Sequence, residues 1–135
     1  MNTLRQGNFL MSKKILVVED NLDMREMFHL YLKLEGFSVI TASDGREGLY
    51  LATAERPDLI ITDINMPNID GISMVEQLRA QPDFKDTPII VLTAFGFVER
   101  DNAIRAGANR AADKPVHIES LMDDINELLD EKNKS

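Results

Sequence analysis

Residues 58–71 read Asp-Leu-Ile-Ile-Thr-Asp-Ile-Asn-Met-Pro-Asn-Ile-Asp-Gly. Leu59, Ile60 and Ile61 form a short apolar run of the length that suits a strand buried on both faces. Pro67, Asn68 and the pair Asp70-Gly71 then punctuate a loop. Asp63 therefore falls at the carboxyl end of a buried strand, where open parallel sheets gather ligands and chemistry. Alone, such an aspartate is as readily a helix cap or a solvated turn. Its meaning depends on what the other strand ends bring to it.

The same pattern recurs along the chain. Ile15-Leu16-Val17-Val18 is a buried strand that ends in Glu19-Asp20-Asn21. Met24, Met27, Phe28, Tyr31 and Leu34 then recur at three- and four-residue spacing, which predicts a helix with these residues in the core and Gly36 at its end. Residues 37–41 form the second strand. Asp44, with Glu47 three residues on, caps a second helix that runs through Ala54. The third strand covers 58–62, and the third helix, 72–80, turns Met74, Val75 and Leu78 inward. Residues 88–92 make the fourth strand, which ends at Thr93. A helix over 98–106 follows, and Gly107 closes it. Residues 110–113 are the fifth strand, ending at Lys114-Pro115, and Ile118, Leu121, Ile125 and Leu128 mark a last amphipathic helix. Five strands alternating with five helices predict a doubly wound α/β sheet with right-handed crossovers.

Composition narrows the function classes. A chain of 135 residues suits one domain. No cysteine is present, which excludes a disulfide scaffold and a thiolate metal site and fits a reducing, cytoplasmic compartment. A net charge of -8 argues against direct nucleic-acid binding, which needs clustered Lys and Arg. No apolar run is long enough to span a membrane, and the first ten residues lack the apolar core of a signal peptide. Residues 1–12 are expected to be a flexible N-terminal extension, with Met11 reading as a natural start, and 13–135 the folded domain. No sequence remains after the fifth helix for an output domain, so a free-standing unit is expected.

Four strand ends carry polar chemistry: Glu19-Asp20, Asp63, Thr93 and Lys114. In a parallel sheet all carboxyl ends share one edge, so these residues converge. At ~5 Å and an effective dielectric of about 20, each carboxylate pair there costs about 3 kcal/mol. A divalent cation offsets that cost, and an all-oxygen donor set selects Mg²⁺ or Mn²⁺ over zinc. Each residue also has an ordinary reading: Lys114 as a turn lysine, Thr93 as a helix cap, Glu19-Asp20 as caps at a positive helix end, Asn65 as a turn residue. His29 and His117 have no nucleophile or ligand set near them and are read as structural.

Taken in order, the acidic pair, the run Asp63-x-x-Met66-Pro67-x-x-x-Gly71 and the Lys114-Pro115 step resemble the response-regulator receiver domain. That domain is the phosphate-accepting half of two-component signalling, and the resemblance covers residues 13 to about 131. It implies a flavodoxin-like five-stranded sheet of order 2-1-3-4-5. It implies that Asp20, Asp63 and the backbone carbonyl of Asn65 are direct metal ligands, with Glu19 acting through water. Asp63 is then the phosphorylation site, a carboxylate nucleophile, with the Thr93 hydroxyl and the Lys114 ammonium holding the phosphoryl oxygens. A cis Lys114–Pro115 bond is also implied. The donor is expected to be a sensor histidine kinase or a histidine phosphotransfer protein, and phosphorylation is expected to change binding to an unknown protein target. Neither nucleic acid nor membrane is an expected partner. No turnover enzyme is expected, only intrinsic phosphorylation and dephosphorylation of the chain itself.

Two other readings of the residues stand beside this one. A haloacid-dehalogenase-type aspartyl phosphatase has its nucleophile after the first strand and a second Asp two residues on, where this chain has Asn65. A flavin-binding module needs hydroxyl-rich, amide-donating loops, whereas Glu19-Asp20 repel a phosphate. The chain also departs from the family it resembles. Ala111 stands where receivers carry Tyr or Phe, and Val116 where Phe is common. Output is therefore expected to run through the Phe95-Gly96-Phe97 loop and the fourth helix. Asn65 and Phe95 occupy the places that govern approach of the hydrolytic water, and the bulk of Phe95 predicts slow self-dephosphorylation.

Overall fold

The computed structural model describes residues 12–94 and 96–134. Strands β1 (Lys14–Val18), β2 (Ser38–Ala42), β3 (Leu59–Asp63), β4 (Ile89–Thr93) and β5 (Arg110–Asp113) form one parallel sheet in the order β2-β1-β3-β4-β5. Helices α1 (Leu22–Leu34), α2 (Gly45–Glu55), α3 (Gly71–Arg79), α4 (Phe97–Ala106) and α5 (Ile118–Lys134) fill the crossovers. Every residue of β3 and β4 is buried, as the unbroken apolar runs require of strands covered on both faces. The expected order and the five helices are both present. Strands β2, β3 and β4 each sit one residue further toward the carboxyl edge than the sequence reading placed them. The ladder continues there: Ile64 N–H still donates to Leu92 C=O at 3.1 Å.

Alternation along each strand splits the core in two. Leu16, Val18, Ile60, Ile89 and Val91 face α2, α3 and α4, where Ala52, Met74, Leu78 and Ala103 meet them. Ile15, Val17, Leu59, Ile61, Ile90 and Leu92 face α1 and α5, against Phe28, Leu32, Leu121 and Ile125. The cap read at Asp44 is present, and Asn21 and Asp70, not read as caps, serve the same purpose. The Asn21, Asp44 and Asp70 side chains accept the amides of Met24, Glu47 and Ser73 at 2.8–2.9 Å.

Helix α1 corrects one expectation. Phe28 and Leu32 are its buried residues, with Met24 packed alongside, while Met27 and Leu34 face solvent. The helix is apolar on two sides, so three- and four-residue spacing fits two faces equally. A short 3₁₀ turn, Pro82–Phe84, adds an element that the sequence pattern did not show.

At the amino edge of the sheet, Arg79 ties four segments together. Its guanidinium donates to the carbonyls of Gly107 (2.9 Å), Phe84 (2.6 Å) and Thr87 (2.8 Å) and to the Asn109 side chain (2.9 Å). Asn109 Oδ1 also accepts the Ile89 amide at 2.8 Å. Gly107 has φ +121°, and a Cβ there would lie 2.7 Å from Arg79 Cγ, so the clasp needs glycine at that point.

Candidate functional site

The opposite, carboxyl edge of the sheet is acidic. Glu19 and Asp20 follow β1, and Asp63 closes β3, the strand beside β1. One carboxylate oxygen from each of the three lies within 4.8 Å of the others. Glu19 and Asp63 are buried, 2% and 5% exposed, while Asp20 is open to solvent. Glu19 accepts the Asn21 amide at 3.1 Å, which orients its carboxylate across the cleft.

Lys114 enters from the end of β5. Its Nζ lies 3.1 Å from Asp63 Oδ2 and 3.3 Å from Glu19 Oε1, so the chain supplies its own counter-cation between two carboxylates. Burial pushes the Glu19 carboxyl above its ordinary range, and the Asp63 charge adds to this. The Asn21 amide and Lys114 pull it the other way without cancelling the rise. Burial also works against the Lys114 ammonium. Its hydrogen bond and attraction to Asp63, with help from Glu19, outweigh that and raise its pKa.

Local chain geometry aims these groups. Gly71, the first residue of α3, passes so close under β3 that a Cβ there would sit 2.2 Å from the Asp63 carbonyl oxygen. Its amide donates to Ile64 C=O at 2.8 Å, closing the loop that follows Asp63. Only glycine permits that approach. Thr93, fully buried, ends β4, and its carbonyl accepts the Lys114 amide at 2.8 Å, which joins the last two strand ends. The Lys114–Pro115 bond is cis. Asn65 is exposed at the lip of the cleft, its amide 3.4 Å from Asp63 Oδ1.

Glu19, Asp20, Asp63, Asn65, Thr93 and Lys114 are thus brought to this one edge. Phe95 lies outside the described residues. Phe97 is 73% exposed, so it is surface rather than core, and Ala111 is a partly buried residue of β5, paired with Val91 and packed into the core on the α2–α4 side. His29 and His117 are exposed and belong to no cluster. Sequence reasoning did not foresee that Lys114 bridges Glu19 as well as Asp63; the signal for it was present only as three acids with one converging cation.

The donor set is three carboxylates with no sulfur or imidazole among them, which fits a hard divalent cation of the Mg²⁺ class. Fold and site together define a doubly wound α/β domain with an acidic cleft at its switch point, a lysine within it and a threonine at the end of the next strand. The profile of the response regulator receiver domain matches residues 15–126, and the chain belongs to that family. It is the phosphoacceptor domain type of two-component regulatory systems. Response regulator MprA of Mycolicibacterium vanbaalenii is 42% identical over 120 residues, 88% of this chain and 51% of that protein. The chain therefore spans about half the length of the curated relatives it matches. Among solved structures, chemotaxis response regulator CheY4 of Vibrio cholerae superposes with a TM-score of 0.82 at 35% identity, over 87% of this chain and 98% of that one. The receiver domain of sensor histidine kinase PA1611 from Pseudomonas aeruginosa gives 0.81 at 31% identity, with the same coverage of 87% and 98%; it was solved with magnesium coordinated in its active-site cleft. No helix among the described residues is long and apolar enough to cross a membrane.

Proposed function

We propose that this chain accepts a phosphoryl group on Asp63 from a phosphohistidine donor and changes its protein contacts as a result. The observation that carries the reading is the joint geometry of Asp63. It is a buried carboxylate at a strand end, within ion-pair distance of one lysine and in one cluster with two further acids. Asp20, Asp63 and the Asn65 carbonyl would hold Mg²⁺ or Mn²⁺, with Glu19 in support. When bound, the ion neutralises the carboxylates and the oxygens of the incoming phosphoryl group.

An Asp63 carboxylate oxygen attacks phosphorus in line. The new O–P bond forms as the P–N bond of phosphohistidine breaks, and the departing imidazole keeps the electron pair and takes up a proton. The Lys114 ammonium, already beside Asp63 Oδ2, moves to a phosphoryl oxygen without leaving the cleft. The Thr93 hydroxyl donates to another. Bound phosphate thus competes for Lys114 and Thr93, which end adjacent strands. The chain is a stoichiometric acceptor in this scheme rather than a turnover enzyme. The donor is a sensor histidine kinase or a phosphotransfer protein, the compartment is cytoplasmic, and the partner contact includes the exposed Phe97 and Val98 at the start of α4.

Acetyl phosphate with Mg²⁺, followed by intact mass, tests the reading. One added phosphate is expected, absent in Asp63→Asn and absent in EDTA. Labelling that survives either change refutes it.

A further inference from the structure

A backbone carbonyl has no rotamers, so the direction of the Asn65 oxygen is set by the loop that carries it. That loop, residues 64–70, is closed at its ends by the Gly71 amide, which donates to Ile64 C=O. Beside the cleft its hold is slight. The Asn65 amide lies 3.4 Å from Asp63 Oδ1, and Asn65 is exposed. The outer bend, 67–69, rests on a different element.

The start of α2 supplies that support. Asp44 divides its carboxylate: Oδ1 accepts the Glu47 amide at 2.8 Å as the helix cap, and Oδ2 accepts the Asn68 side-chain amide at 3.1 Å. Gly45, the next residue, is buried under the same loop, and a Cβ there would lie 2.0 Å from the Ile69 carbonyl oxygen. Ile69 packs against the core on the α2–α4 side. Asn68 has φ +72°, a left-handed conformation that asparagine tolerates better than most residues. Capping α2 needs one acceptor oxygen, and Ser or Asn supplies it as well as Asp. The second oxygen of Asp44 has no part in the cap; it serves the loop.

We propose, resting on the metal site of the proposed function, that Asp44 and Asn68 are positioning residues for the divalent cation. Their hydrogen bond, beside the close Gly45–Ile69 contact, holds the 64–70 loop so that the Asn65 carbonyl is presented to the ion. Neither side chain is a ligand in this scheme. Each acts through the loop backbone, so losing the bond loosens the carbonyl and lowers the affinity for the ion. The two core clusters do not include either residue, and the domain stays folded without the bond.

Asn68→Gly deletes the amide donor yet suits φ +72°, and Asp44→Ser keeps a capping oxygen while dropping the second acceptor. Isothermal titration of the full chain with Mg²⁺ is expected to give about a 3- to 10-fold weaker Kd for Asn68→Gly than for wild type, with the urea midpoint in EDTA little changed. In the Asp44→Ser background, Asn68→Gly is expected to add nothing, because the bond is already gone. An Asn68→Gly affinity equal to that of wild type overturns the proposal. So does an equal loss in both backgrounds, which marks a loosened turn with no coupling to Asp44. A fall in the urea midpoint in step with the Mg²⁺ loss assigns the bond to the fold and also overturns it. Asp63→Asn reads the metal site separately. Mg²⁺ held as tightly by that variant, or not at all by wild type, fails the site itself and the role of Asp44 and Asn68 with it.

Discussion

Removing the Lys114 ammonium should make the cleft bind Mg²⁺ more tightly while weakening its chemistry. In the metal-free protein this ammonium holds Asp63 at 3.1 Å and Glu19 at 3.3 Å. A single contact at that distance is worth about 1 kcal/mol in water and about 5 at an effective dielectric of 20. Both carboxylates belong to the acidic cluster, so a cation entering it meets oxygens that already have a partner and an ammonium that repels it. Taking the lower figure for both contacts gives about 2–3 kcal/mol, or roughly 30- to 100-fold in Kd. Lys114→Met keeps the aliphatic length and deletes the charge. Isothermal titration with Mg²⁺ at low ionic strength should show the tighter binding, and acetyl phosphate should label the variant more slowly than wild type. Mg²⁺ affinity that is unchanged or weaker in Lys114→Met would refute the view of Lys114 as the resident counter-ion of the cleft.

Glu19→Gln should stabilise the metal-free protein at neutral pH. The folded pKa of Glu19 lies above its unfolded value, so its contribution is fully present below about pH 4.3 and is lost as pH rises through the raised value. Urea unfolding in EDTA should therefore fall less steeply with rising pH in the variant. Arg79→Ala should cost about 2–4 kcal/mol, because it strands the carbonyls of Phe84, Thr87 and Gly107, and a urea midpoint shift reads this. Gly71→Ala forces the end of β3 to shift away from a Cβ. It should cost about 1–3 kcal/mol by the same measurement and slow labelling of Asp63.

Most of the sheet could be read from its strands, because a run such as Ile89 to Leu92, buried on both sides, leaves few other arrangements. That Glu19, Asp20, Asp63, Thr93 and Lys114 share one edge followed from parallel topology, whereas the strand order that makes those ends neighbours came from the family resemblance. The face of α1 did not, since Met27, Leu30 and Leu34 compete with Phe28 and Leu32 in any test of periodicity. Arg79 was equally silent. Three of its acceptors are backbone carbonyls, which every residue offers, so nothing in the letters distinguishes it from a solvated helix-end arginine. The turn at Pro82–Phe84 is too short to leave a period.

The clasp at Arg79 gives the molecule a pivot. The far ends of α3 and α4, the entry to β4 and the entry to β5 are bolted to one guanidinium, on the side of the sheet away from the acidic cleft. Helix α4 runs from Phe97 to Ala106, held at its foot through Gly107 and Arg79 and tied in its first turns to the end of β5 by the Arg100–Asp113 ion pair. A ten-residue helix is about 15 Å long, and a shift of about 1 Å at the head tilts it by about 4°. In the proposed scheme a pull at the cleft would be felt as a tilt of this helix, which carries the exposed Phe97 and Val98.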